Sequence, residues 1–381
     1  MPPESANARL RVAVLGVKYF PSKGGTSRVV EDLLEALSDR YDFTLYCYRD
    51  PRARGHLPGV ETVELPEFPG GSIGVFLYYL WCALHLLWRG GVDVVHVHKI
   101  DAAPTLPLLL LRFACVATSH ESPYRRDKWG RVARAYFKFA EQRFLRSGAR
   151  ISCVSASLAE SYRKRRDGPV EFIPNGLRPL LECDDAAAEA LLEERNVEDG
   201  FVLFAARRVM STKGAHTLLE AAARKAGPPV LLIGDFDQLP EYTERLRALA
   251  EPVVAAGSAV HFVDPVDRGT LMALLGRATL FVFPSEAEGM SIMLLEAARM
   301  GAPMIASDIP ENTSVLAPDE AVFFETGNAD DLARCLAWAR AHPAELKTRT
   351  ERARRRVESD FGIESVAQRY AALYDAAAGR A

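Results

Sequence analysis

Phe283 to Asp308 reads FPSEAEGMSIMLLEAARMGAPMIASD. The apolar, β-prone run Leu280–Phe283 is cut off by Pro284 and Ser285. From Ser291 the pattern is helical until Gly301-Ala302-Pro303, and a second apolar run, MIAS, follows. Strand, loop, helix and strand are the parts of a parallel βαβ unit. Glu288 and Glu296 flank the Gly289-Met290-Ser291 turn. On one continuous helix, eight positions would rotate the second carboxylate by ~80° and lift it ~12 Å, putting the two on different faces. With the helix starting at Ser291, Glu288 lies in the loop, Glu296 sits ~7.5 Å up the axis, and the first-turn amides lie between them. Such amides and the helix dipole suit a diphosphate. A ligand carrying hydroxyls on both sides of a diphosphate reaches both carboxylates, and a nucleotide-sugar has that layout.

The same alternation extends in both directions. Upstream, the apolar runs LRVAVLG, FTLYCYR, VDVVHVH, CVATSH, ISCVS and VEFIPNG alternate with helical patterns near 28–38, 73–88, 104–111, 128–147 and 157–165. Beyond Gly200 the runs FVLFAARR, PVLLIGD, VHFVD, LFVFPS and PMIAS alternate with helices near 215–225, 240–250 and 268–276. Between these halves, Leu177 to Gly200 is acidic, alanine-rich and without strand signal. The expected organisation is α/β: two doubly wound, Rossmann-like domains over residues 1–178 and 200–360, a linker over 179–199, and a C-terminal helix within 361–381. Ligands of such sheets bind beyond the carboxyl ends of the strands.

A chain of 381 residues with 49% hydrophobic and 25% charged residues is ordinary globular material for two domains. A net charge of −3 argues against general nucleic-acid binding. Six scattered cysteines without a short-spaced Cys/His cluster indicate neither zinc nor a disulfide framework, and no secretory pattern opens the sequence, so a cytosolic setting is expected. Charge is uneven, however: Arg125 to Arg150 holds nine Arg or Lys against two acids, with aromatics interleaved. Two readings stay open there, a packed helix with a solvated basic face and peripheral contact with anionic lipid at the inner face of a membrane. Ile73 to Trp88, the longest apolar run, is too short to span a bilayer and reads as a buried helix, the alternative being one that grazes a bilayer.

The Glu288/Glu296 spacing, the preceding Pro-Ser and the following LEA and G-A-P-M-I-A-S resemble the donor-site signature of retaining glycosyltransferases of family 4. The resemblance implies the GT-B fold, two facing domains with an interdomain cleft. It implies further that Glu296 holds ribose hydroxyls, that Glu288 contacts the donor sugar, and that Gly289, Met290 and Ser291 present amides to the diphosphate. The family usually has an aromatic where Met290 stands and glycine where Ser291 stands. Arg208 and Lys213, in RRVMSTKG after FVLFAA, resemble the family's G-R-x-x-x-x-K-G with Ala206 in place of glycine. Two cations there would hold a leaving diphosphate in place of a metal. FPSKGGTSRVVEDLLEAL, with Gly24 and Gly25, resembles a rhamnosyltransferase-like branch, although Ser27 stands where that branch often has an acid. His120, ending CVATSH, matches a histidine that contacts the donor sugar, and the C-terminal helix is expected to cross back onto the first domain.

His96 and His98 share one face of a strand with no third ligand nearby and read as core or cleft lining. Asp235-Phe236-Asp237 spells a metal-binding Asp-x-Asp, but it follows a strand where this family has a turn, so no metal and no cofactor is expected. The activity expected is metal-independent, retaining transfer of a sugar from a nucleotide-diphosphate donor to an acceptor hydroxyl, in glycan or polysaccharide, glycolipid or glycosylated-metabolite synthesis. A ribose-gripping Glu296 favours UDP; the rhamnosyltransferase resemblance pulls towards dTDP-rhamnose. The acceptor is left open between a lipid-linked glycan and a small molecule. Rival readings are a sugar-nucleotide epimerase or hydrolase on the same frame and a non-catalytic nucleotide-binding protein.

Overall fold

The computed structural model describes residues 9–21, 25–49, 57–69, 71–122, 124, 130–178, 182–197, 200–290 and 292–380. The chain divides into two compact units, one of residues 1–178 with 362–381 and one of residues 179–361.

The first unit runs β1 (Leu10–Leu15), α1 (Gly25–Leu37), β2 (Tyr41–Tyr48), β3 (Val60–Leu65), α2 (Ser72–Arg89), β4 (Val94–His98), a 3-10 turn (Ile100–Thr105), α3 (Leu106–Leu109), β5 (Ala114–Ser119), α4 (Arg131–Leu145), β6 (Arg150–Cys153), α5 (Ala156–Arg163) and β7 (Val170–Phe172). Its strands form one parallel sheet in the order β3-β2-β1-β4-β5-β6-β7. Strand alternation sends Val12 and Val14 to one core with Leu33 and Leu34 of α1. It sends Ala13 and Leu15 to the other, with Tyr78 and Leu86 of α2 and Phe144 of α4. The sheet is therefore covered on both faces, which is why its strands read as continuous apolar runs.

The second unit runs α6 (Asp185–Glu194), β8 (Val202–Arg208), α7 (Ala215–Ala222), β9 (Val230–Asp235), α8 (Pro240–Ala255), β10 (Val260–Val263), α9 (Arg268–Arg277), β11 (Leu280–Phe283), α10 (Ile292–Arg299), β12 (Met304–Ser307), α11 (Pro310–Thr313), β13 (Val322–Phe324), α12 (Ala329–Ala341) and α13 (Pro343–Asp360). Its six strands are parallel in the order β10-β9-β8-β11-β12-β13. The chain then re-enters the first unit as α14 (Ile363–Ala377), where Leu177 bridges Gly362 and Tyr370 and Tyr374 join the α1 core.

Three local readings differ from the sequence expectation. The stretch expected as a 179–199 linker holds α6, N-capped by Asp184, whose side chain accepts from the Ala187 amide at 2.9 Å. Alanine and glutamate favour helix, and Ala188 and Leu192 give it a buried side. Edge strands β3 and β13 carry no strand signal in the sequence reading, because VETVEL is one-third charged and VFF is three residues long. Helix α2, expected to be buried, buries only one face: Ile73, Leu77, Trp81, Leu84 and Trp88 are exposed.

Candidate functional site

In each sheet the strand order reverses once, and that point marks where a ligand binds. In the second unit it falls between β8 and β11. Two loops meet there. Beyond β8 the chain makes a 3-10 turn at Ser211–Lys213 and turns into α7 through Gly214, at φ 72°. A side chain at Gly214 would be strained by this left-handed backbone, and its Cβ would lie 2.0 Å from the Pro284 carbonyl oxygen. The contact is reinforced by the Glu286 amide, which donates to the Thr212 carbonyl at 2.9 Å. From below, the Ser307 hydroxyl donates to the Ser285 carbonyl at 2.5 Å, and Asn312 Nδ2 donates to Ser307 Oγ at 3.0 Å. The Pro284-Ser285 punctuation is thus a clamped platform.

On this platform the structure brings two expected residues together. Lys213 Nζ donates to Glu288 Oε1 at 2.5 Å, and the Ser285 hydroxyl reaches the same oxygen at 2.6 Å. Both side chains are largely buried, so the carboxylate accepts from a cation and a hydroxyl in place of water. Gly289 and Met290 follow in the turn that leads to α10; Ser291 lies outside the described residues. Glu296 is buried on α10 and pairs with Arg268, the first residue of α9, at 2.7 Å. Arg208 lies exposed at the end of β8 and has no ion-pair partner among the described residues. Asp235 ends β9 as a turn cap, its carboxylate accepting from the Asp237 amide at 3.1 Å and from Gln238 Nε2 at 2.6 Å.

Arg268 went unread in the sequence. One signal was present: a cation in the first turn of a helix opposes the dipole, so another partner must hold it there. That partner is Glu296, and the pair fixes the position of a buried carboxylate.

In the first unit the reversal falls between β1 and β4. Gly16, at φ 101°, closes β1; a Cβ there would lie 2.0 Å from the His98 carbonyl oxygen. Lys99 follows His98 at φ 71°, a left-handed conformation rare outside glycine. His120, just past β5, places Nε2 3.0 Å from His98 Nδ1, and the His98 ring lies 3.8 Å from the His96 ring. His96 is fixed by the Tyr374 hydroxyl at 2.8 Å and the Thr118 hydroxyl at 2.7 Å. Buried His98 Nε2 has no hydrogen-bond partner among the described residues. A lone pair left unpaired costs less than an N–H left unpaired. His98 therefore carries its proton on Nδ1, donates to His120 Nε2, and leaves the His120 proton on Nδ1. Gly25 opens α1; Gly24 lies outside the described residues, as do 125–129 of the basic stretch.

Burial holds His96 and His120 down to about 3 and His98 well below its ordinary value. The unfolded chain takes up protons near pH 6.5 and the native state refuses them, so stability is present above pH 6.5 and lost as pH falls from there towards 3. Each histidine contributes a slope of roughly 1 kcal/mol per pH unit in that window. Thermal melting between pH 7.5 and 5 is expected to show a steep fall before carboxylates titrate; a flat profile would contradict the neutral cluster.

A family model described as Glycosyltransferase Family 4 matches residues 23–179, and one described as Glycosyl transferases group 1 matches residues 189–356. The chain is 27% identical over 309 residues to the MMP alpha-(1->4)-mannosyltransferase of Mycolicibacterium hassiacum, covering 77% of this chain and 72% of that protein. The fold matches sucrose-phosphate synthase from Thermosynechococcus elongatus with TM-score 0.84 at 23% identity, over 98% of this chain and 100% of the other. It matches Anabaena HepE, solved in complex with UDP and glucose, with TM-score 0.76 at 16% identity, over 97% and 100% of the two chains.

Proposed function

Because the chain belongs to the GT-B glycosyltransferases of the family 4 type, we propose that it moves a sugar from a nucleotide-diphosphate donor, UDP-linked by first choice, to an acceptor hydroxyl with retention of anomeric configuration. One observation carries this reading: the switch point of the second unit joins Lys213 to Glu288 on a clamped loop pair, and the helix that follows holds the buried Glu296. Glu296, paired with Arg268, accepts from the ribose hydroxyls. The N-terminal end of α10, with Gly289, Met290 and Ser291, faces the diphosphate, and Glu288 meets the sugar. UDP in the HepE complex supports the choice of base.

In the reaction the bond from the anomeric carbon to the diphosphate oxygen breaks, and its electron pair leaves with the nucleotide. Lys213 and Arg208 stabilise that developing charge, a task that needs no metal when two cations perform it. The acceptor oxygen bonds to the anomeric carbon and its hydroxyl proton is released. We assign no protein nucleophile. We assign the His120 Nδ1–H to a sugar hydroxyl, and Gly24 and Gly25 to donor binding. Acceptors of two kinds fit the reading, a lipid-linked glycan and a small molecule.

A panel of UDP, GDP, ADP and dTDP, alone and as sugar conjugates, tests the donor assignment by thermal stabilisation. A ribonucleotide is expected to raise the melting temperature most. Preference for dTDP-rhamnose would overturn the UDP choice and favour the rhamnosyltransferase alternative.

A further inference from the structure

Helix α2 presents to solvent a face that is apolar almost throughout. Ile73, Leu77, Trp81, Leu84 and Trp88 are 70, 41, 50, 46 and 83% exposed. Their spacings of four, four, three and four place them in one stripe along the helix. The helix has no acidic residue, and the charge it exposes is Arg89, in its last turn. Its opposite face, with Tyr78, Tyr79, Cys82, Ala83 and Leu86, is fully engaged in the core. A contiguous exposed stripe with two tryptophans marks an interaction surface.

The neighbour of this stripe says what it meets. Phe76 of α2 and Tyr136 of α4 are in ring contact at 6.1 Å, so the two helices adjoin on the same side of the sheet. On α4 and the residue after it, Arg131, Lys138, Arg143 and Arg146 are exposed alongside Val132 and Phe139. Its acid, Glu141, is withdrawn into the interior, where it accepts from Arg165 at 2.7 Å and Tyr162 at 2.8 Å. The surface is therefore apolar on α2 and cationic, with apolar residues interspersed, on α4. A second copy packing its α2 antiparallel to this one about a two-fold axis would draw its own basic α4 alongside this one, like charge against like. Among the described residues no helix is long and apolar enough to cross a membrane.

We infer that α2 lies in the interface of an anionic bilayer, its Ile73–Trp88 stripe entering the acyl boundary while the α4 cations hold lipid headgroups. An 18-residue helix offers ~27 Å of stripe parallel to such a surface. The inference concerns a surface of the first unit and stands whether or not sugar transfer is shown.

The full chain is incubated with vesicles of phosphatidylcholine alone and of phosphatidylcholine with phosphatidylglycerol, and bound protein is separated by sedimentation. The wild-type chain is expected on the anionic vesicles, less so as salt rises. Trp81→Gln with Trp88→Gln should weaken binding by about tenfold or more, and Lys138→Gln with Arg143→Gln should lose most of the preference for anionic lipid, about tenfold or more. All four side chains are at the surface, so unchanged melting temperatures separate lost docking from lost folding. Three results would each overturn the inference: no wild-type binding to anionic vesicles, equal binding by the tryptophan variant, or a dimer in solution that Trp81→Gln with Trp88→Gln splits.

Discussion

Lys213→Ala is expected to lower turnover of the nucleotide-sugar by roughly 10²–10³-fold, as removal of one fixed donor to a developing oxyanion does. The side chain is anchored at one end only, by Glu288 at 2.5 Å, and spans no core layer, so the fold should survive the change. Transition-state loss is separable from weakened ground-state binding: kcat and kcat/KM should fall together, with a smaller change in donor affinity. Glu288→Gln removes the charge that holds the ammonium while leaving the Ser285 hydroxyl a partner. Because the two side chains act as one unit, the double variant should be little worse than Lys213→Ala alone. A non-catalytic nucleotide-binding protein would instead keep its biological activity in both variants. Arg208→Ala should give a smaller defect, since that side chain is exposed and must be ordered by the ligand.

The second large effect is expected at the buried pair. Glu296→Ala should weaken binding of UDP by roughly 10–150-fold, the equivalent of a lost charge-assisted hydrogen bond at about 1.5–3 kcal/mol. It should also erase discrimination against a 2′-deoxy nucleotide, because the carboxylate that reads the ribose is gone. Arg268→Ala acts differently. It removes the Arg268 cation from the buried Glu296 carboxylate, and breaking a buried pair in this way costs about 3–5 kcal/mol of stability. Isothermal titration with UDP and dUDP on wild type and Glu296→Ala, with melting curves on Arg268→Ala, reads both. Equal affinity of wild type for UDP and dUDP would remove the ribose assignment.

Much of this was legible in the chain. The apolar runs that alternate with helices sit in both parallel sheets, because strands covered on both faces must be apolar throughout. The βαβ reading of 280–307 holds in β11, α10 and β12, and Pro284-Ser285 ends the strand as expected. Pairings that depend on tertiary approach were invisible. Nothing local in RRVMSTKG says that Lys213 will meet Glu288, 75 positions away, or that Arg268 will meet Glu296. The histidines on β4 gave half a signal: their shared face is periodic, but the hydroxyl of Tyr374 arrives from α14, at the far end of the sequence. Hydrophobicity alone misplaced α2, since an apolar helix reads as buried whether its outer face meets protein or lies open. Its neighbour α4 shows the reverse, a charged helix whose acid is inside and whose cations are outside.

The most direct measurement is product isolation after incubating the wild-type chain with a UDP-sugar, with and without a panel of acceptor hydroxyls, lipid-linked and small. The expected result is release of UDP that depends on the acceptor, one equivalent of glycosylated acceptor per UDP, and an anomeric configuration equal to that of the donor. Donor consumed at the same rate without acceptor, yielding free sugar or an epimer, would contradict transfer and assign the same Lys213, Glu288 and Glu296 site to a hydrolase or epimerase.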